Sequence, residues 1–308
     1  MYGKMIDRSG FLERRKTGIG GSDVAAVAGL SEWRSPLDVF YDKLSIEFRK
    51  GEQKESAPVG ETAALYWGSV HEAAIGRAYT AVTGKKLMRY NRKLVHPDKP
   101  YFIGDVDFLA YCENGKRPFN TKTGNIVTGK GIECKTCRMA GDEWGERGTD
   151  IVPLYYICQV QWYMGLIPTI ESFDIPVLFG GSDFRIYTVY RDNDVISRLQ
   201  NIADEFWTQH VVKQIPPPPR SYEEVKRLYP VSSGKSMTAT VELERKVRRL
   251  SRISNIRNRL EKQEVKLKDE ITIEMNNAER LILPDDTVLA TFRNEKNGRI
   301  FRLKKINR

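Results

Sequence analysis

The chain has 308 residues, 40% of them hydrophobic, enough for one large domain or one domain with an appendage. Its net charge of +10 is uneven: 21 Lys+Arg face 13 Asp+Glu from Ser221 onward (+8), and 29 face 27 before it (+2). A near-neutral body with a basic tail points to an acidic polymer as partner, nucleic acid first, with a solvated charged helix as the plain alternative.

No stretch approaches twenty apolar residues, so neither a membrane span nor a membrane partner is expected. The N-terminal stretch is charged and lacks an apolar core, so it does not read as a signal peptide. The expected location is cytoplasmic, with Cys112, Cys134, Cys137 and Cys158 as free thiols.

In chain order, "GIGGSD" (18–23) comes first. Its three glycines let backbone approach a ligand, and Ser22 can cap the helix predicted over "SDVAAVAGL". Free amides at a helix start attract anions, and Arg15 can grip a phosphate with two bonds. An ordinary capped helix after a tight turn explains the same residues. "YWGSVHEAAIGRAYTAVTG" predicts a helix that carries Glu72 and stops at Gly84.

"PYFIGDVDFLAYC", "GIECKTC", "SFDIPVLFG" and "FRIYTVYR" read as strands. "YYICQVQWYMGL" fits a strand or a helix, with Tyr156, Gln159 and Tyr163 on one face at helical spacing favouring the helix, and "NDVISRLQNIADEFWTQHVV" reads as an amphipathic helix. The proline run in "QIPPPPRS" (214–221) breaks regular structure and predicts a domain boundary, with domains 1–215 and 216–308. Beyond it, apolar residues from Leu243 to Ile271 at steps near three and four predict a long helix or helical hairpin with one apolar seam. "TVLATFRNEKNGRIFRLKKI" predicts a β-hairpin turning at Asn297-Gly298.

The chemistry concentrates in two strands. Alternation puts Glu133 and Lys135 of "GIECK" on one face, and likewise Asp105 and Asp107 of "GDVDF". Two acidic strand ends brought together make a hard oxygen site suited to Mg²⁺ or Mn²⁺. A lysine beside it can hold an attacking water or stabilise charge developing on a phosphate, the requirements of metal-assisted phosphodiester hydrolysis. The pattern alone is weakly specific, because acids and lysines alternate on many solvated strand faces. Glu72 adds a carboxylate from one helix. Gln159 adds a polar group on another, where it can serve the site or cap a backbone group. Cys134 and Cys137 bracket Lys135, but thiolates there would bind softer metals than this chemistry wants, so no iron–sulfur cluster is expected. The three histidines lack zinc spacing.

"GIGGSDVAAVAGLSEWRSPLDVFYDK", "WGSVHEAAIGRAY", "GDVDFL", "GIECKT", "YYICQVQWYMGL" and "GGSDFRIYTVYRD" follow one another over residues 10–215. Together they resemble the YqaJ family of viral recombinases, relatives of the phage lambda exonuclease in the PD-(D/E)XK nuclease superfamily. The resemblance implies an α/β restriction-endonuclease-like core with a central mixed β-sheet flanked by helices, here followed by a helical and hairpin extension. It implies a Mg²⁺-dependent 5′–3′ exonuclease on double-stranded DNA, with Mn²⁺ able to substitute, leaving 3′ single-stranded tails for recombination by strand annealing. It further implies a homo-oligomeric ring and a single-strand annealing protein as partner.

Residue by residue, the resemblance makes Asp107 and Glu133 metal ligands, with the carbonyl of Cys134 as a third and Glu72 reaching the metal through water. It makes Lys135 the catalytic lysine, Gln159 a neighbour of the attacking water, and Arg15 with Ser22 the grip on the DNA 5′-phosphate. One position departs: where the lambda-type enzyme has a serine two residues before the metal aspartate, this chain has Asp105. A restriction or repair endonuclease of the same superfamily and a non-catalytic DNA-binding scaffold are the competing readings.

Overall fold

The computed structural model describes residues 15–45, 63–296 and 298–304. The chain divides into two compact units, one ending at Val231 and one starting at Ser232.

The first unit is built on a mixed six-stranded sheet. Its strands are β1 (Leu87–Arg89), β4 (Phe108–Ala110), β5 (Lys130–Ile132), β6 (Lys135–Cys137), β7 (Ser172–Phe179) and β8 (Asp183–Tyr190). β1, β4 and β5 run antiparallel in turn, β7 runs parallel to β5 and β6, and β8 returns antiparallel along β7. β2 (Leu94–Val95) and β3 (Ile103–Gly104) form a separate small pair. β7 is largely apolar because both of its faces are covered: Phe173, Ile175 and Val177 are fully buried, and its Asp174 is buried with them.

Helices α1 (Gly21–Val27), α2 (Pro36–Leu44), α3 (Ala63–Thr83), α4 (Leu154–Leu166), α5 (Asn193–Phe206) and α6 (Tyr222–Leu228) surround it. α3 stops at Gly84, whose φ of +73° takes the left-handed conformation expected of a helix-ending glycine. α2 begins with a capping box: Ser35 Oγ accepts from the Asp38 amide at 3.2 Å, and the Asp38 carboxylate accepts from the Ser35 amide at 2.9 Å. α1 packs on α4 so closely that a Cβ added at Gly21 would lie 2.5 Å from the Tyr163 ring. That glycine brings the start of α1 against the helix carrying Gln159.

Three expectations are corrected. "GIECK" is not one unbroken strand. β5 and β6 keep the same register on β7, with Ile132 opposite Asp174 and Lys135 opposite Val177, but the ladder is interrupted at residues 133–134. The Glu133 amide still bonds the Asp174 carbonyl (3.1 Å), whereas the Cys134 amide turns to Asp107 Oδ2 (2.8 Å).

"GDVDF" is likewise a bend between β3 and β4, where the chain passes from the small pair to the main sheet. Val106 is buried between the two aspartates, so the alternation survives without the strand.

The units also part at 231/232 rather than 215/216. The proline run leads into α6, which belongs to the first unit: Glu224 is buried there, and Arg227 bonds Asp38 Oδ1 at 2.6 Å.

The second unit is one long helix, α7 (Val241–Met275), and a three-stranded antiparallel sheet of β9 (Arg280–Ile282), β10 (Val288–Glu295) and β11 (Gly298–Leu303). Thr240 caps α7 by accepting from the Leu243 amide (3.2 Å). The Arg299 guanidinium covers the Phe292 ring at 3.9 Å and donates to the carbonyls of Asn276 (2.5 Å) and Ala278 (2.6 Å). It thereby ties the end of the helix to the sheet. The expected hairpin is present, although Asn297 of its turn lies outside the described residues; β9 was not expected. Leu250, Ile253, Ile256 and Leu260 of the seam are exposed. Among the described residues no helix is long and apolar enough to cross a membrane.

Candidate active site

The break between β5 and β6 creates the site. Glu133 keeps its amide on β7 with its side chain buried, Cys134 turns its amide away to Asp107, and Lys135 resumes the pairing on the same face as Glu133. Lys135 Nζ donates to Glu133 Oε1 (2.8 Å) and to Gln159 Oε1 (3.0 Å). Gln159 Nε2 donates to the same Glu133 Oε1 (2.6 Å) and to the Tyr163 hydroxyl (3.0 Å). Lys135 Nζ also lies 4.9 Å above the Tyr156 ring. The face of α4 expected from helical spacing therefore meets the strand residues directly: Tyr156, Gln159 and Tyr163 all touch the Glu133–Lys135 pair or its partners.

Asp107 joins through the amide of Cys134, the residue between Glu133 and Lys135. Glu72 comes from α3 and is ion-paired to Arg89 of β1 (2.8 Å), whose guanidinium also stacks on Phe108 at 4.9 Å. Sequence reasoning missed Arg89, because the pair closes between a helix and a strand with no shared motif.

The charges are crowded. Burial pushes the Glu133 carboxyl up to about 8, the nearby Asp107 adding to the shift and Lys135 opposing it. Burial pushes Glu72 up to about 7, with Asp107 again adding and Arg89 opposing. Asp107 is also raised by burial, against the pull of Lys135 and the Cys134 amide. Burial lowers the Lys135 ammonium, but the charges of Glu133, Tyr156 and Asp107 outweigh it and hold the group protonated. Three carboxyl groups thus share too little positive charge.

One atom makes the shortage concrete. Glu133 Oε2 is the one buried side-chain oxygen or nitrogen without a hydrogen-bond partner among the described residues. Leaving such a group unsatisfied costs on the order of 1–3 kcal/mol, and more for a charged group. A hard cation fits this demand. No three His, Cys, Asp or Glu side chains converge on one point among the described residues. The fit is therefore to a cation held by one or two carboxylates and completed by a carbonyl and water, the way Mg²⁺ is commonly held. Burial and the flanking carboxylates push the Cys134 thiol far up, so it stays protonated and offers no soft ligand.

A second cluster stands at the start of α1. Arg15 Nη2 donates to Ser22 Oγ (2.9 Å), so the two residues expected to grip a phosphate do meet. Arg15 also reaches Asp23 Oδ1 (3.1 Å), which Arg34 Nη1 shares at 2.7 Å, while Lys43 Nζ takes Asp23 Oδ2 at 2.7 Å. Asp23, Arg34 and Lys43 had no signal in the sequence beyond their charge. Asp105 is exposed, and its charge reaches the Tyr163 hydroxyl.

A mixed α/β core with an acid–acid–lysine centre at a broken strand defines the class of protein. The family comparison makes it specific. The model of the YqaJ-like viral recombinase domain matches residues 10–167. This chain belongs to the YqaJ-like viral recombinase family. The uncharacterized protein YqaJ of Bacillus subtilis (strain 168) is 28% identical over 283 residues, which span 89% of this chain and 80% of that protein. Among solved structures, an alkaline exonuclease (LHK-Exo) from Laribacter hongkongensis matches with 16% identity over 71% of this chain and 97% of that one, at a TM-score of 0.45. A phage related exonuclease from Haemophilus somnus 129PT matches with 12% identity over 64% and 96%, at a TM-score of 0.41.

Proposed function

We propose that this protein is a metal-dependent deoxyribonuclease that degrades double-stranded DNA from its ends in the 5′–3′ direction. The observation that carries the reading is the Glu133–Lys135–Gln159 contact, with Glu133 Oε2 buried beside it without a partner. A purely structural ion pair would satisfy both carboxylate oxygens.

Asp107 and Glu133 would hold Mg²⁺, for which Mn²⁺ would substitute, together with the Cys134 carbonyl, and Glu72 would act through water. Bound there, Mg²⁺ supplies Lewis-acid activation of the phosphodiester. Lys135 stays protonated and donates to the phosphate oxygen on which charge develops. Gln159 holds the Lys135 ammonium from one side while the Tyr156 ring bounds it on another, which fixes the donor's position before substrate arrives. By the family resemblance Gln159 would also neighbour the water that attacks phosphorus. Arg15 and Ser22 receive the 5′-phosphate. The family resemblance supports the finer terms: 3′ single-stranded tails as product, a homo-oligomeric ring around DNA, and a single-strand annealing protein that receives the tails.

The test is incubation of linear and covalently closed circular duplexes, each with and without Mg²⁺ and with 5′-phosphate or 5′-hydroxyl ends. Mg²⁺-dependent nucleotide release from linear DNA alone is expected. Cutting of the closed circle would make the protein an endonuclease of the restriction or repair type. No release from either would leave a DNA-binding scaffold.

A further inference from the structure

The loop between α1 and α2 carries an aromatic side chain that the fold does not use. Trp33 is 77% exposed, whereas Trp144 and Trp162 are buried in the core. Its indole makes no ring contact or hydrogen bond among the described residues. A single exposed indole needs no reason by itself; this one is set apart by the loop that holds it and the cleft beside it.

The loop is held in place. The amides of Trp33 and Arg34 both donate to Ser31 Oγ (3.2 and 3.3 Å). Arg34 is anchored at Asp23 Oδ1 (2.7 Å) and Asp42 Oδ2 (3.3 Å), and Ser35 starts α2 in its capping box. An indole on a pinned loop loses little freedom when a ligand lands on it.

Beside it opens a cleft of about 330 Å³ lined by Trp33, Arg34, Asp38, Arg220 and Glu224, among others. Its lining carries two arginines and three acids, and of these Asp38 is already bonded to Arg227 and the Ser35 amide and Glu224 to the Arg220 amide. With three acids to two arginines the lining disfavours a phosphate, and it leaves the indole face to hold a neutral flat ligand by stacking. A nucleobase is such a ligand, whichever of the four it is.

The position supports the same identity. Arg34 and Arg15 end on the same oxygen of Asp23, and Arg15 also bonds Ser22, so the loop adjoins the residues assigned to the 5′-phosphate. On the other side, Gly21 packs on Tyr163, which bonds Gln159 of the catalytic cluster.

We propose that Trp33 is the stacking platform for the terminal nucleobase of the strand whose 5′ end is held at Arg15 and Ser22. This inference rests on the reading of the chain as a nuclease acting at DNA ends. The platform lets the enzyme sense a base at the end of a strand, apart from the phosphate beside it. It contributes to end binding for any of the four bases, since each has a π-face.

The experiment uses the full chain in EDTA and a short 5′-phosphorylated duplex whose terminal base is the fluorescent 2-aminopurine, with a matched duplex ending in an abasic site. On the parent protein, 2-aminopurine fluorescence is expected to be quenched on binding. Trp33→Ala should lose most of the quenching and bind roughly tenfold more weakly. Trp33→Phe should recover most of both. On the abasic end, parent and Trp33→Ala should bind alike. Trp33→Ala that quenches and binds like the parent would overturn the proposal, as would an equal loss on both ends, which marks a general DNA contact. In either case Mg²⁺-dependent hydrolysis of linear DNA by the parent would leave the nuclease reading standing. A parent that neither binds nor hydrolyses linear DNA would overturn both.

Discussion

Two buried carboxylates, Asp23 and Glu133, are each held by a lysine, and they end up in opposite states. Asp23 has both oxygens occupied by Arg15, Arg34 and Lys43. Burial raises its pKa, but the three cations outweigh this and hold it well below the usual carboxylate range. Glu133 has one lysine, one bare oxygen and two carboxyl neighbours, and is pushed up to about 8. Burial is common to both, so it does not decide the outcome; the count of cations around each carboxylate does. Asp23 is a completed structural cluster. Glu133 is a site one positive charge short, as expected of a place that takes up a cation.

The difference should appear most strongly when each acid is neutralised. Glu133→Gln and Asp107→Asn should lower Mg²⁺-dependent hydrolysis on the order of a thousandfold, since each removes ligand charge. DNA binding and folding stability should stay near the parent's, because the exchange relieves crowding of like charges. Activity within a few-fold of the parent would remove that residue from the metal site.

Asp23→Ala should do the reverse. It leaves Lys43 fully buried with only the more distant Asp42 carboxylate (3.7 Å) near its ammonium, and breaking a buried pair of this kind costs about 3–5 kcal/mol. The loss is read from denaturant unfolding. Burial already draws the Lys43 ammonium below its usual value despite Asp23, so the carboxylate gains more from the cluster than the lysine does. The pH dependence follows from the Asp23 shift. Its folded pKa is depressed, so its contribution is fully present above the unfolded value near 4 and is lost as pH falls through the lower folded value. The parent should therefore lose stability on acidification below about pH 4 more steeply than Asp23→Ala does. Parallel acid curves would mean that the cluster is not the stabilising unit described here.

How these two clusters read in sequence is instructive. Glu133, Lys135, Asp107 and Gln159 were legible because strand alternation and helical spacing bring each set to one face, and those local rules survived folding. The break at residues 133–134 was not legible, since it depends on Asp107 arriving from 27 residues away to take the Cys134 amide. Asp23 was invisible for a similar reason: Lys43 lies 20 residues off and Arg34 lies 11 off, at no motif spacing. The domain boundary shifted because Arg227 reaches back 189 residues to Asp38, which keeps the helix after the prolines in the first unit. Periodicity left a long helix and a helical hairpin open for the tail, of which the structure takes the long helix, and the expected final hairpin is present.

The two lysines extend the comparison at smaller amplitude. Lys135→Ala should slow turnover about a hundredfold while leaving the apparent KM close to the parent's, because a donor to developing charge acts on the transition state. A rise in KM alone would make Lys135 a plain phosphate contact.

Arg15 is the residue where the two kinds of cluster touch. Its side chain is 30% exposed, and it divides its guanidinium between Asp23 and Ser22. Asp23 keeps Arg34 and Lys43 when Arg15 is removed, so the structural cluster should survive Arg15→Ala with a modest loss of stability. What disappears is the one guanidinium beside Ser22. A charge-assisted bond to phosphate contributes roughly 1.5–3 kcal/mol, so the preference for 5′-phosphorylated over 5′-hydroxyl ends should fall about tenfold or more. Asp105 limits the size of this effect, since it is an exposed acid whose charge reaches Tyr163, the residue against which Gly21 packs at the start of α1. Asp105→Ser should then raise the preference, and in the double variant with Arg15→Ala that gain should shrink if both residues act on one phosphate. An equal loss on both kinds of end in Arg15→Ala, together with a large drop in unfolding free energy, would assign Arg15 wholly to the Asp23 cluster and leave the phosphate grip without its arginine.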